Sequence, residues 1–158
     1  MSHREIQEDY EGYIMVYTDG CCINNGRGGA KAGIGVWFAD GHQLNVSAPL
    51  KGRATNQRAE LQAVVAACKR ALAAGFDELF IFTDSHYAMN CAIKWIHVWR
   101  RNGWINARGN PVANKGDIQE MMHYVDQLNT KWEAVAAHSG NYGNEAADRL
   151  ARQGAKEY

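Results

Sequence analysis

Leu79-Phe80-Ile81-Phe82-Thr83-Asp84-Ser85 is a short, unbroken apolar run that ends in a carboxylate. Its length suits a strand, and the lack of polar alternation suits one buried on both faces, as in the middle of an α/β sheet. Asp84-Ser85 closes it and starts a helix read over residues 87–99. Upstream, residues 13–18 are rich in β-branched and aromatic types and end in the same way, with Tyr17-Thr18-Asp19-Gly20. A Gly/Asn loop over residues 21–31 leads to two further strands, 32–38 and 42–49, joined at Asp40-Gly41 by a hairpin signal. Thr55 or Asn56 then caps a helix on which Leu61, Val64, Val65, Cys68 and Leu72 recur at helical spacing until Gly75. Beyond the helix at 87–99 come a loop over 102–112, a helix over 116–128, a strand over 131–136, a loop over 139–143 and a C-terminal helix. The order β-β-β-α-β-α-α-β-α gives an α/β layer with a mixed sheet.

The chain has 158 residues, the size of one domain. Residues 1–12 read as a mobile acidic leader (Glu5, Glu8, Asp9, Glu11) and residues 13–158 as the domain. That leader has neither the apolar core of a signal peptide nor the basic character of a transit peptide. No stretch is long and apolar enough to span a bilayer, so no membrane partner is expected. Cys21, Cys22, Cys68 and Cys91 form no metal or redox spacing and read as free thiols.

Formal net charge is zero, yet the charges are segregated. Residues 85–116 hold no acid but carry Lys94, Arg100, Arg101, Arg108 and Lys115. Residues 20–59 hold Asp40 against Arg27, Lys31, Lys51, Arg53 and Arg58. Such basic stretches suit a polyanion.

Four carboxylates carry the chemistry: Asp19, Glu60, Asp84 and Asp148. Taken singly each has a plain role, since Asp-Gly makes turns, Asp-Ser caps helices and acids favour a helix's first turn. Asp19 and Asp84 together are another matter. Both follow an aromatic–Thr pair at the end of a strand, the edge where open α/β sheets bind ligands. Glu60 lies one turn before Val64, at the border of the apolar stripe, and so faces the sheet. Acids gathered this way repel one another unless a cation joins them, and two metals held by acids catalyse in-line attack on a phosphodiester. His138, on a Gly-bearing loop, suits proton transfer near neutral pH. Trp95, Trp99 and Trp104 interleave with cations, which suits core packing or a groove for a nucleic-acid strand.

Together these segments resemble the type 1 ribonuclease H family in its eukaryotic form. The resemblance runs from about Tyr13 to Lys156 and rests on Tyr-Thr-Asp-Gly at 17–20, Thr-Asn-Gln-Arg-Ala-Glu at 55–60, Thr-Asp-Ser at 83–85, and His-Ser-Gly followed by Gly-Asn-Glu-Ala-Ala-Asp at 138–148. It implies the ribonuclease H-like α/β fold, a five-stranded mixed β-sheet flanked by helices. It implies a monomeric endoribonuclease that cuts the RNA strand of RNA–DNA hybrids with two Mg²⁺ ions, for which Mn²⁺ can substitute, and a nuclear or mitochondrial setting. By the same resemblance Asp19, Glu60, Asp84 and Asp148 are the metal ligands, His138 assists turnover, and Glu145 is an accessory acid. Cys22, Asn25, Asn56 and Gln57 contact the RNA strand. Arg53, Thr55 and Asn114 take a DNA phosphate, and Tyr87, Trp95 and Trp99 line the DNA-strand channel. The chain departs from the family at Ala136-Ala137, where relatives usually carry Pro-Gly or another Gly, and at Tyr87, where a Phe is common. Two other readings remain open at this point: a non-cleaving hybrid-binding module, and another nuclease or integrase on a related fold. Four intact acids argue against the first. The expected 2′-hydroxyl contacts and the basic Trp segment argue against the second.

Overall fold

The computed structural model describes residues 3–158. Five strands, β1 (Ile14–Ile23), β2 (Lys31–Trp37), β3 (Val46–Pro49), β4 (Glu78–Thr83) and β5 (Asn129–Ala134), form one sheet in the order β3-β2-β1-β4-β5. The first three run antiparallel to their neighbours, whereas β1–β4 and β4–β5 are parallel. The sheet is therefore mixed, and the apolar run at 79–83 lies inside it, with β1 and β5 on either side.

Two helices cover opposite faces. Along β1 and β2 successive side chains alternate. Val16 and Val36 join the main core with Leu61, Val64, Val65 and Cys68 of α1 (Asn56–Ala73), whereas Tyr17 and Trp37 pack with Ala146 and Ala147 of α5 (Tyr142–Ala155). Helix α4 (Lys115–Val125) completes the first layer through Ile118, Met121 and Met122. Each such buried aliphatic side chain contributes about 1.5–3 kcal/mol. Thr55 is the cap of α1, its Oγ1 accepting from the Arg58 N–H at 3.2 Å. Among the described residues no helix is long and apolar enough to cross a membrane.

Several boundaries differ from the sequence reading. Strand β1 does not stop at Thr18 but continues to Ile23, because its pairing with β2 outlasts its pairing with β4. The Asp40-Gly41 turn is not a two-residue hairpin, and β3 begins at Val46 rather than at 42. Asn45 is the reason: its side chain accepts from the Phe38 N–H at 2.7 Å and donates to the Ala39 carbonyl at 2.6 Å, closing a longer loop. The helix expected over 87–99 is three pieces, α2 (His86–Asn90), a π turn (Cys91–Trp95) and α3 (Ile96–Asn102). The Ile96 N–H reaches back five residues to the Cys91 carbonyl, and Gly103 stops α3 in the left-handed region at φ 77°. Residues 3–12, read as a mobile leader, lie against the domain. Ile6 packs on the main core, the Gln7 carbonyl accepts from Met15 at 2.9 Å, and Lys131 pairs with Asp9 and Glu11.

Candidate active site

The strand register builds the centre. Thr18 of β1 pairs with Thr83 of β4, so the next residues, Asp19 and Asp84, emerge side by side where the two strands part. Thr83 Oγ1 accepts from the Ser85 N–H at 3.0 Å, and Ser85 Oγ caps α2 by accepting from Ala88 at 3.1 Å. The chain after β4 thus turns sharply away and leaves Asp84 at the sheet's edge.

Glycines bring the other two acids in. A Cβ on Gly20 would lie 2.4 Å from the backbone of Ala59 and Glu60, so only glycine lets the start of α1 rest on β1 and deliver Glu60. On the opposite face, a Cβ on Gly35 would lie 2.1 Å from the Ala147 carbonyl oxygen, and one on Gly33 would lie 2.2 Å from the Ala155 nitrogen. Gly35 is the β2 partner of Asp19. The close seat of α5 on these glycines is what carries Asp148 to the centre.

One carboxylate oxygen each from Asp19, Glu60 and Asp84 lies within 4.8 Å of the others, a spacing that a cation can bridge. Asp19 and Glu60 are 4% and 7% exposed, too little to be solvated as free anions. Burial, then the charges of Glu60 and Asp84, push the Asp19 carboxyl well above the usual range. Burial, then the charge of Asp84, does the same to Glu60. Glu60 Oε2 is buried without a hydrogen-bond partner among the described residues. An unpartnered carboxylate oxygen beside two other acids fits a divalent cation, whose hard oxygen-ligand preference this donor set meets.

Around this cluster lies a cleft of about 230 Å³ lined by Asp19, Glu60, Asp84 and Asp148 together with Cys21, Cys22, Asn56, His138 and Arg152. Asp148 lies on the same cleft wall beside Asp19, with whose side chain its own hydrogen-bonds, and its Oδ2 accepts from Arg152 Nε at 2.8 Å. His138 is exposed, with φ 54°, in a turn held by Ser139 Oγ donating to the Ala136 carbonyl. Glu145 is exposed in the first turn of α5 and does not line the cleft.

Two residues of this site carried no separate role in the sequence reading. Asn144 is 2% exposed; its Nδ2 donates to Asp84 Oδ2 at 3.3 Å, and its Oδ1 has no partner among the described residues. Arg152 is the other. Asn144, Asp148 and Arg152 are four apart on α5, and that spacing, which puts all three on one face, is the signal that could have found them.

Of the expected nucleic-acid contacts, Cys22 and Asn56 line the cleft itself. Asn25 Oδ1 accepts from the Asn56 N–H at 3.1 Å, binding the Gly/Asn loop to the start of α1. Asn114 Nδ2 donates to Gln57 Oε1 at 3.1 Å and to Tyr87 Oη at 3.0 Å, so it links α1 to α2. Burial pushes the Tyr87 hydroxyl up to about 12, so it stays protonated. From Tyr87 a row of rings follows at centroid spacings of 6.2, 5.9 and 5.7 Å through Trp95, Trp99 and Trp104. These tryptophans are partly buried against the main core, so each gives up one side to packing and keeps another open. Arg53 and Thr55 line a separate depression of about 420 Å³ with Arg27 and Tyr158. Thr55 Oγ1 is already used in capping α1.

The model of the family described as RNase H matches residues 11–156. Ribonuclease H1 of Mus musculus is 46% identical over 144 residues, covering 91% of this chain and 50% of the relative. Ribonuclease H1 of Homo sapiens is 44% identical over 145 residues, covering 92% and 51%. The chain thus spans about half the length of these mammalian relatives. Ribonuclease H of a Cyanothece species is 42% identical over 143 residues, covering 87% of this chain and 85% of the relative. Among solved structures, the crystal structure of LC9-RNase H1, a type 1 RNase H with the type 2 active-site motif, is similar with a TM-score of 0.74 and 29% identity, covering 90% of this chain and 72% of that one. The foamy viral protease-reverse transcriptase in complex with an RNA/DNA hybrid is similar with a TM-score of 0.69 and 27% identity, covering 91% of this chain and 20% of that one.

Proposed function

Because the chain belongs to the ribonuclease H family, we propose that it hydrolyses the RNA strand of RNA–DNA hybrids with divalent cations held in the carboxylate cleft. The observation that carries this reading is the convergence of Asp19, Glu60 and Asp84, with Glu60 Oε2 buried and unpartnered. Asp19, Glu60, Asp84 and Asp148 would hold two Mg²⁺ ions, which Mn²⁺ can replace. When bound, such ions lower the pKa of water and stabilise the leaving 3′-oxygen.

The protein's own part is to orient and to exclude. Asn144 holds Asp84 in position through its amide. His138, on the open side of the cleft, takes or delivers protons during turnover, with Glu145 as an accessory acid on the adjoining turn. Cys22, Asn25, Asn56 and Gln57 face the RNA strand and read its 2′-hydroxyls, which distinguish RNA from DNA. Arg53, Thr55 and Asn114 hold a phosphate of the DNA strand, and Tyr87, Trp95 and Trp99 carry its sugars and bases along the ring row. A module that only bound hybrids would have no use for buried, mutually repelling acids. With the family go a monomeric state and a nuclear or mitochondrial setting, open to light scattering and fractionation.

The test is a panel of end-labelled substrates: hybrid, single-stranded RNA and duplex DNA, each with Mg²⁺ and with chelator. Cleavage confined to the RNA of the hybrid, and to Mg²⁺, is expected. Equal cleavage of single-stranded RNA, or binding of hybrid without cleavage, would reject the proposal.

A further inference from the structure

Arg58 is the cation of the run from Arg53 to Glu60 that the proposed function leaves without a part. Its side chain is 16% exposed, and all but one of its guanidinium N–H groups are taken. Nε and Nη2 donate to Asp117 Oδ2 and Oδ1 at 3.0 and 3.1 Å, the two-pronged pairing that suits a carboxylate. Nη2 also donates to the Lys51 carbonyl at 3.1 Å, and Nη1 to the Arg53 carbonyl at 2.5 Å. We infer, on the reading of Arg53, Thr55 and Asn114 as a DNA-phosphate site, that Arg58 is a positioning residue. Anchored on Asp117, it fixes the backbone of the 51–53 loop so that Arg53 meets the phosphate, and it touches no phosphate itself.

The loop is gripped at successive carbonyls. Arg58 holds those of Lys51 and Arg53, and the Gly52 carbonyl between them accepts from Tyr158 Oη at 2.6 Å. Gly52 has φ 83°, a bend suited to glycine, and a Cβ there would stand 3.3 Å from Arg58 Nη1. The Leu50 N–H donates to the Ala32 carbonyl at 2.9 Å, which ties the start of the loop to β2. An ion pair serving only to join α1 to α4 would need the carboxylate alone. The two carbonyl bonds serve the loop.

Arg53 is where the site needs a fixed backbone. Thr55 Oγ1 already accepts from the Arg58 N–H, and the Asn114 amide already donates to Gln57 and Tyr87. The Arg53 side chain is exposed and takes part in no ion pair among the described residues. A long side chain loses rotamer freedom when it grips a ligand, so a backbone held beforehand lowers what binding costs. The anchor serves the same site from the other side. Asp117 lies in the first turn of α4, just after its N-cap Asn114, and Gln57, next to Arg58 on α1, accepts from Asn114. The pair thus keeps in register the two segments that supply the site.

The test uses a labelled RNA–DNA hybrid with wild type, Arg53→Ala, Arg58→Ala, Arg58→Lys and the double variant Arg53→Ala with Arg58→Ala. Kd is measured in chelator across NaCl concentrations, and kcat and KM in Mg²⁺. Arg58→Ala should raise Kd and KM roughly three- to tenfold and lower the salt slope by about 0.9, as Arg53→Ala does, with kcat kept. Adding Arg53→Ala to it should change nothing further. Arg58→Lys should keep most of the defect, because one ammonium cannot span a carboxylate and two carbonyls. Wild-type Kd and salt slope in Arg58→Ala, even with a lowered melting temperature, overturn the inference and leave a structural ion pair. Losses that add overturn it too, since Arg58 would then act on the hybrid by a route other than Arg53. So does full rescue by Lys, which would mean charge alone, and so does a fall in kcat with Kd unchanged. If Arg58→Ala does not fold, Arg58→Gln with Asp117→Asn, which leaves no unpaired charge, takes its place with the same expectations. Arg53→Ala is the control on the underlying reading: if it binds hybrid as wild type does, the phosphate site itself fails and the role of Arg58 with it. If wild type binds hybrid without cleaving it, the proposed activity fails, while Kd still decides the role of Arg58.

Discussion

At the scale of single residues, the site is a set of acids kept together against their own repulsion. Asp19 feels this most, being buried beside Glu60 and Asp84. Its ordinary value is 3.8, and the fold raises it. The folded state therefore binds this proton more tightly than the unfolded state does. Stability is fully present below the unfolded value and declines as pH rises towards the folded one. Replacing Asp19 by Asn removes that loss. In chelator, Asp19→Asn should gain stability over wild type between about pH 5 and pH 8, by on the order of 1 kcal/mol or more. Urea unfolding at the two pH values measures it, and parallel curves for the two proteins would show that Asp19 ionises without penalty. Asn144 gives a second residue-scale expectation. Asn144→Asp places a further acid against Asp84, where the amide now donates. Hydrolysis should fall by at least tenfold at low Mg²⁺ and partly recover at high Mg²⁺, since a buried hydrogen bond to a charged group is worth roughly 1.5–3 kcal/mol. A loss independent of Mg²⁺ would assign Asn144 a purely structural part.

At the scale of elements, close approach decides whether the acids meet. The strand end before Asp84 and the place of Asp19 beside it were legible in the sequence, because an aromatic–Thr–Asp pattern repeats and an apolar run marks the central strand, whereas the continuation of β1 past Asp19 to Ile23 was not. The cap at Thr55 and the apolar stripe of α1 were legible for the same local reasons. The π turn at Cys91–Trp95 was not, since one shifted hydrogen bond leaves the apolar spacing of the helix almost intact. Nor was the role of Gly33 and Gly35, which look like weak points in a strand until α5 is seen against them. The pairing of Arg152 with Asp148 was within reach of their four-residue spacing on α5, but that spacing alone does not show that the pair lines the carboxylate cleft. Gly35→Ala tests the element directly. Its Cβ would meet the Ala147 carbonyl at 2.1 Å, so α5 must shift or tilt. Overpacking of this kind costs about 1–3 kcal/mol, and the melting temperature should fall by several degrees. Activity should fall further than stability alone explains, because Asp148 rides on the displaced helix. Full activity at a temperature where the variant is folded would mean that the height of α5 is not critical.

At the scale of the whole molecule, a neutral chain presents an acidic centre beside a basic, ring-lined flank. The segregation of charge was visible in the sequence, but which cations are free was not. Arg100 Nη2 donates to Asp126 at 2.7 Å, so part of its charge is already answered. Arg101, exposed at the end of α3 with no ion pair among those described, is the better candidate for a phosphate. Arg101→Ala should raise KM for hybrid and lower the salt slope by about 0.9, the value for one lost phosphate contact. Arg100→Ala should lower it by less. Identical slopes in wild type and Arg101→Ala would make this flank a solvated surface only.

Everything proposed for this chain turns on the converged carboxylates holding the cations needed to cut RNA paired to DNA. The most direct test of that role is the single-turnover cleavage rate of labelled RNA in a hybrid, measured across Mg²⁺ concentrations for wild type and Asp19→Asn, with binding of the same hybrid followed in parallel. Mg²⁺-dependent cleavage by wild type and no cleavage by Asp19→Asn at any Mg²⁺ concentration, with hybrid binding retained, are expected. Cleavage by Asp19→Asn at the wild-type rate, or cleavage by wild type that persists in chelator, would contradict that role.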